Sequence, residues 1–147
     1  MAKQSGIKDL KAFQNKLKKR IVTNPEKHLK GLVQRSTTLV EGTAKQSIVS
    51  GNKSGITYTK YNPTRTHTAS AAGEPPASDT GFLVQNITSQ VKSEGTKVIG
   101  QIVASAPYAK ALEFGTSQMS ARPFMFPALE KNKPKIKRIF KQGGYLK

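Results

Sequence analysis

The sequence contains no cysteine and no tryptophan, only two histidines, and eight acidic residues against 25 lysines and arginines. Without cysteine there is no disulfide framework, no thiol nucleophile and no thiolate metal site, which fits a cytosolic origin. His28 falls in a lysine-rich helical stretch and His67 in a loop-like one, and neither has a carboxylate or second ligand at metal spacing. The acids are scattered rather than paired, and no glycine-rich phosphate loop precedes a helix. A hydrolase or transferase needs a nucleophile and base within reach, or a metal, so neither an enzyme nor a cofactor is expected. No apolar run is long enough to span a bilayer, and the start "MAKQSGIKDLKAF" lacks an apolar signal core, so neither a membrane partner nor a signal peptide is expected. Apolar residues make up 35% of the chain, little for a compact domain of 147 residues. Such a chain has either a small core with long excursions or burial that is completed in an assembly.

What the sequence has in excess is positive charge. A formal net charge of +17 attracts polyanions over long range: nucleic acid, an anionic membrane, or the acidic surface of another protein, among which composition does not choose. No zinc-finger spacing, stacking-aromatic signature or helix-turn-helix accompanies it, so contact with nucleic acid would run through the backbone without reading sequence.

The pattern along the chain predicts an α+β fold in a single domain over residues 1–147: N-terminal helices packed on a small antiparallel sheet, with a short helix and a C-terminal helix. In the helical part, 1–50, Ile7, Leu10, Phe13, Leu17 and Ile21 follow steps of three and four and make one apolar stripe among lysines. "TNPE" then punctuates: Thr23 or Asn24 can cap, Pro25 suits the first helical position, and Glu26 suits the positive helix end. Leu29, Leu32, Val33, Val40, Ala44 and Ile48 share a face of the second helix, which "SGNKSG" ends. Alternation in Ile56–Tyr61 predicts a strand. Residues 62–80, rich in proline and small residues, read as an extended arm or mobile loop. Over 81–142 come the sheet and the remaining helices. "FLVQNITSQVK" and "KVIGQIVAS" read as a hairpin turning at Gly95, with Leu83, Ile87 and Val91 on one face of the first strand, and Val98, Ile102 and Ala104 together on the second. Ser105 can cap a short helix that Gly115 ends. A last helix begins near Pro127, lined by Leu129, Ile136, Ile139 and Phe140, with a kink or restart at Pro134 and a frayed "QGGYLK" tail.

The span Ala106–Glu130 differs from everything around it. Tyr108, Phe114, Phe124 and Phe126 cluster there with Pro107, Gly115, Pro123 and Pro127, and Glu113 and Arg122 sit in that apolar company. A short helix stopped by Gly115, followed by a proline-fixed loop, predicts a rigid knob. Its aromatics would serve either as interface anchors or as the core on which the helices pack. Glu113 and Arg122 are expected to form a structural ion pair between the "EFGT" turn and the "ARPF" loop.

The order "TGFLVQNI", hairpin, "APYAKALEFGT", "ARPFMFPALE" resembles the tail-component family of tailed double-stranded-DNA phages, and "SAAGEPPASDTG" resembles that family's linker. The resemblance covers Ala69 to about Glu130, a little under half the chain. It implies a non-enzymatic virion protein of the head–tail junction (neck or tail completion), made in the host bacterial cytoplasm. It implies an α+β chain assembling as a ring, with a hexamer favoured. The partners implied are head-completion and tail-terminator or tail-tube proteins, and the DNA that passes through the neck. Tail terminator and minor tail protein are neighbouring roles. The motif residues carried over are Thr80, Gly81 and Leu83; Tyr108, Ala109, Leu112, Glu113, Phe114, Gly115 and Thr116; and Ala121, Arg122, Pro123 and Phe124. From a different class, a cytosolic basic protein binding nucleic acid non-specifically is the alternative.

Overall fold

A computed structural model describes residues 5–146. The fold is α+β: five helices with two separate two-stranded antiparallel sheets. In order they are α1 (Ser5–Thr23), α2 (Pro25–Ser50), β1 (Thr57–Tyr61), β2 (Thr64–Thr68), α3 (Phe82–Gln85), β3 (Ile87–Glu94), β4 (Lys97–Ala104), α4 (Ala109–Phe114) and α5 (Met125–Gln142). No helix among the described residues is long and apolar enough to cross a membrane.

The organising element is α2. Asn24 separates it from α1: the Asn24 side chain accepts the amide of Lys27 at 3.2 Å, and Pro25 takes the first helical position. Ser36, Thr37, Val40, Ala44 and Ile48 are buried along α2, with Leu32 below them. One side of this surface meets β3–β4 and the other meets α5. Ser36 and Thr37 can be buried because their hydroxyls donate to Leu32 O and Gln34 O within the helix. The core joins Val40, Ala44 and Ile48 to Leu83, Ile87, Ala106, Ala109, Phe124 and Ala128.

The β3–β4 hairpin pairs from Ile87 with Ala104 to Glu94 with Lys97, and Gly95 turns it at φ 59°. Period two puts Ile87 and Val91 of β3 and Val98, Ile102 and Ala104 of β4 on the side facing α2. Gly100 is the point of closest approach, because a Cβ there would lie 2.4 Å from Thr37 Cγ2 and 2.7 Å from Val33 Cγ1.

Several expectations need correction. Phe82–Gln85 is a helical turn that delivers Leu83 to the core, so β3 begins only at Ile87. Ser105 caps nothing; its amide donates to Asn86 O at 2.8 Å, and Tyr108 holds the cap position of α4. Helix α5 does not restart at Pro134, which lies inside it at an exposed position. The inward line of α5 is Ala128, Asn132 and Ile136, while Leu129 is exposed. Asn132 replaces an expected apolar residue and donates to Thr43 Oγ1 and to Ala128 O, both at 2.8 Å. The C-terminal tail is tied down: Tyr145 stacks on His28 with ring centroids 5.7 Å apart and donates its hydroxyl to Pro25 O, and Gly143 O lies 3.1 Å from His28 Nε2. The stripe of α1 does not reach the sheet. Leu10 and Phe13 are exposed and Leu17 is half-buried, while the side chains of Ile7 and Ile21 lie outside the described residues.

Gly100→Ala should destabilise the protein by about 1–3 kcal/mol, because both α2 side chains it meets are β-branched and stiff. Combining it with Thr37→Ser, which removes the Cγ2 atom, should restore part of the loss. Thermal unfolding of the two variants is the measurement, and an unchanged Gly100→Ala midpoint would show that sheet and helix are not in close contact there.

Candidate functional site

The short α4 carries Ala109, Leu112, Glu113 and Phe114 of the second motif group and ends at Gly115, whose φ of 76° only glycine adopts without strain. Space demands glycine as well, since a Cβ would lie 2.8 Å from Met119 O. Thr116 and Met119 then exchange backbone hydrogen bonds at 2.8 and 3.3 Å, and the chain returns along α4, where the Arg122 amide donates to Leu112 O at 2.7 Å.

Glu113 and Arg122 do not pair with each other, which overturns the expected ion pair. The Glu113 carboxylate accepts three backbone amides at the start of α5: Phe124 at 2.9 Å and Met125 at 3.0 Å on Oε2, and Phe126 at 2.8 Å on Oε1. The first amides of a helix have no intrahelical acceptor and carry the positive end of its dipole. Hydrogen bonds from backbone amides to a carboxylate are charge-assisted, and three of them converge on this half-buried one. Arg122 turns away and donates from Nη1 to the Oγ of Ser70, itself buried, at 3.1 Å; its Nε is buried without a partner.

Ser70 belongs to the segment 62–80, expected to be an extended arm or mobile loop; 69–80 carry no helix or strand, and the expectation is corrected at 64–68. Thr64–Thr68 is a strand paired with β1. Beyond it, Gly73 donates to Ala121 O at 2.9 Å, and Glu74 accepts the amides of Ser54 and Ala71 and the Ser54 hydroxyl. These hydrogen bonds, the Ser54 hydroxyl foremost, hold the Glu74 carboxyl at about 2. Asp79 accepts from Lys60 and lies 2.6 Å from Arg65, with His67 4.0 Å away. The Lys60 hydrogen bond, followed by the Arg65 and Lys60 charges, keeps Asp79 below the usual carboxylate range. Carboxylates thus hold a segment that lacks apolar anchors.

Three stretches far apart in sequence converge here. Thr80, Gly81 and Leu83, then Tyr108 and Leu112, then Arg122 all line one cavity of about 260 Å³. Thr116 stands apart in the turn, and Pro123 faces a separate groove with Pro75 and Pro127. The aromatics divide between buried and exposed positions. Phe124 is core at 1% exposure, whereas Phe114 at 75% and Phe126 at 63% stand outside, and Tyr108 is exposed beside Phe82. Leu112 packs half-buried against the core.

The cavity brings His67, Asp79 and Ser70 near one another, but not into a relay. The Asp79 carboxylate is engaged by Lys60 and Arg65, and the Ser70 hydroxyl by Arg122. No group of three metal-ligating side chains occurs among the described residues. The sequence had not singled out Ser70, Glu74 or Asp79, and it named Phe126 among the clustered aromatics but not among the motif residues. Only the small, polar run around the first three hinted at a segment held by polar contacts. Comparison with protein-family models, with curated proteins and with solved structures finds no match.

Glu113→Ala leaves three amides without their acceptor and should lower stability by about 1–3 kcal/mol, with Glu113→Gln milder because one oxygen remains. Equal midpoints for Glu113→Ala and the unaltered chain would refute the capping role. Glu74 supplies a pH signature. Its folded pKa of about 2 lies below the ordinary 4.5, so its contribution is fully present above pH 4.5 and fades as pH falls towards 2. The Ala71 and Ser54 amide resonances should follow that acid transition, and Glu74→Gln should abolish it. A transition unchanged in Glu74→Gln would assign it to another group.

Proposed function

We propose that the chain is a structural, non-enzymatic virion protein of the phage head–tail junction, acting in neck or tail completion as a ring that helps join tail to head. The observation that carries the proposal is how the motif residues are used. Of the motif residues, Glu113 holds three backbone amides and Arg122 the Ser70 hydroxyl, while Phe114, and Phe126 just beyond the motif, are left exposed beside the turn so fixed. Aromatic side chains presented on fixed backbone suit a docking surface and supply no chemistry. The engagement of Ser70, His67 and Asp79 in structural contacts supports the same reading, as does the phage tail-component resemblance over Ala69–Glu130. Head-completion and tail-terminator or tail-tube proteins are the partners that follow, and a charge of +17 would steer docking onto acidic rings or onto the DNA in the neck.

One feature favours charge-driven nucleic-acid binding as a second reading. Lys16, Lys19, Lys27, His28 and Arg35 line an open groove of about 750 Å³ between α1 and α2. Contact there would be with phosphates, so affinity should be indifferent to sequence and fall steeply with salt.

The assembly proposal is tested in particles made without the protein. Filled heads and separate tails should accumulate, and adding the purified chain should join them. Normal joining without it would overturn the proposal. Sequence-selective DNA binding, preferring one site by about a thousandfold or more, would favour the second reading.

A further inference from the structure

Arg122 carries a charge that no described residue offsets. Its side chain is half-buried, its Nη1 donates to the Ser70 hydroxyl at 3.1 Å, and its Nε is shielded from water without a partner. No carboxylate among the described residues forms an ion pair with it. A charge drawn partly out of water is costly unless it is paired. Arg122 lines the cavity of about 260 Å³ together with Tyr58, Phe82 and Tyr108. Asp79 is the other charged residue of that lining, with the titratable His67 beside it. The Asp79 charge is already offset by Lys60 and Arg65, which do not line the cavity.

We infer that this cavity is a binding site for one carboxylate group on a small body, the carboxylate resting on the Arg122 guanidinium and its apolar stem among the Tyr58, Phe82 and Tyr108 rings. Charge selects an anion, because Asp79 is neutralised by its own partners and Arg122 is not. Volume selects a small one. A cavity of about 260 Å³ lies below the roughly 300–1,000 Å³ of pockets for drug-sized molecules. That is room for a glutamate side chain or a short free acid, and too little for a nucleotide or a folded peptide segment.

Shape and charge together favour a carboxylate over a phosphate. The guanidinium is planar and matches a planar carboxylate, and Ser70 is the one partner that Arg122 has engaged through its side chain among the described residues. Asp79 stands in the same lining and repels a doubly charged phosphate more than a singly charged carboxylate. Two sources carry the chemistry: a free small acid, and a glutamate side chain of a neighbouring protein. The site does not depend on whether copies of the chain form a ring, so its failure leaves that reading untouched.

The full chain, isotope-labelled for NMR, is titrated at neutral pH and constant ionic strength with three probes: propionate, N-acetyl-glutamate amide and inorganic phosphate. The shielded Arg122 Nε–H, assigned by its loss in Arg122→Gln, is the reporter, with the amides of Ser70 and Gly81. A carboxylate probe should shift all three to saturation and leave Gly95, in the β3–β4 turn, unmoved. Read at the two amides, Arg122→Gln should weaken binding by about tenfold or more, as loss of a hydrogen bond to a charged group does. Ser70→Ala keeps the guanidinium and releases its Nη1, so it should bind at least as tightly as the unaltered chain. Saturation by the capped glutamate assigns the ligand to a neighbouring protein's side chain, and saturation by propionate alone to a free acid; either upholds the site. Absent or unsaturable shifts overturn it, as does a phosphate response at lower concentration than propionate. Equal weakening in Ser70→Ala and Arg122→Gln also overturns it, because the Arg122–Ser70 contact would then be what matters.

Discussion

The Glu113 carboxylate, at the end of a six-residue helix, holds the amide of the α5 cap residue Phe124 and the first two amides of α5. That single convergence sets where α5 begins and how it is aimed. It fixes the loop Thr116–Pro123 between two anchored ends, drives Phe124 into the core and leaves Phe126 outside. Because the acid is committed to backbone, Arg122 is free to reach Ser70, and so the segment before α3 is drawn onto the same unit. A carboxylate at a helix N-terminus satisfies both the orphan donors and the dipole. A Glu–Arg pair at this place would have left those amides without an acceptor.

The rest of the molecule follows from how little apolar material there is. The buried apolar set is short and rich in alanine, and α2 serves both the sheet and α5. Polar residues complete what apolar ones cannot. Ser36 and Thr37 satisfy themselves within α2, Asn132 bridges α5 to Thr43, and Glu74 and Asp79 hold a loop that has almost no apolar anchors. Leu10 and Phe13 of α1 stay exposed.

Local chemistry is where the sequence was legible. Asn24–Pro25 marked a helix boundary, Gly95 a hairpin and Gly115 a helix end, because each depends on one residue's own backbone preference. The buried line of α2 and the inward face of β3–β4 were visible as periodicity. What stayed hidden depends on distant residues. Leu83, Ile87 and Val91 keep a spacing of four that suits helix and strand alike, and tertiary packing put Leu83 in a helical turn. Thr64–Thr68 becomes a strand because β1 lies beside it. The tail is ordered by His28 and Pro25, more than a hundred residues away. At the candidate site the motif residues were identifiable, but their partners were not: opposite charge suggested Glu113 with Arg122, whereas unsatisfied backbone amides, which no side-chain pattern reveals, claimed the carboxylate.

Amide hydrogen exchange at Phe124, Met125 and Phe126 tests that arrangement most directly. The first amides of a helix ordinarily exchange freely because nothing accepts them. Bonding to Glu113 predicts that these three exchange more slowly than the loop amides of Ser117 and Ser120, and that Glu113→Ala returns them to the loop rate. Fast exchange in the unaltered chain, or protection that survives Glu113→Ala, would contradict the capping of α5 by Glu113 and the rigid presentation of Phe114 and Phe126 that depends on it.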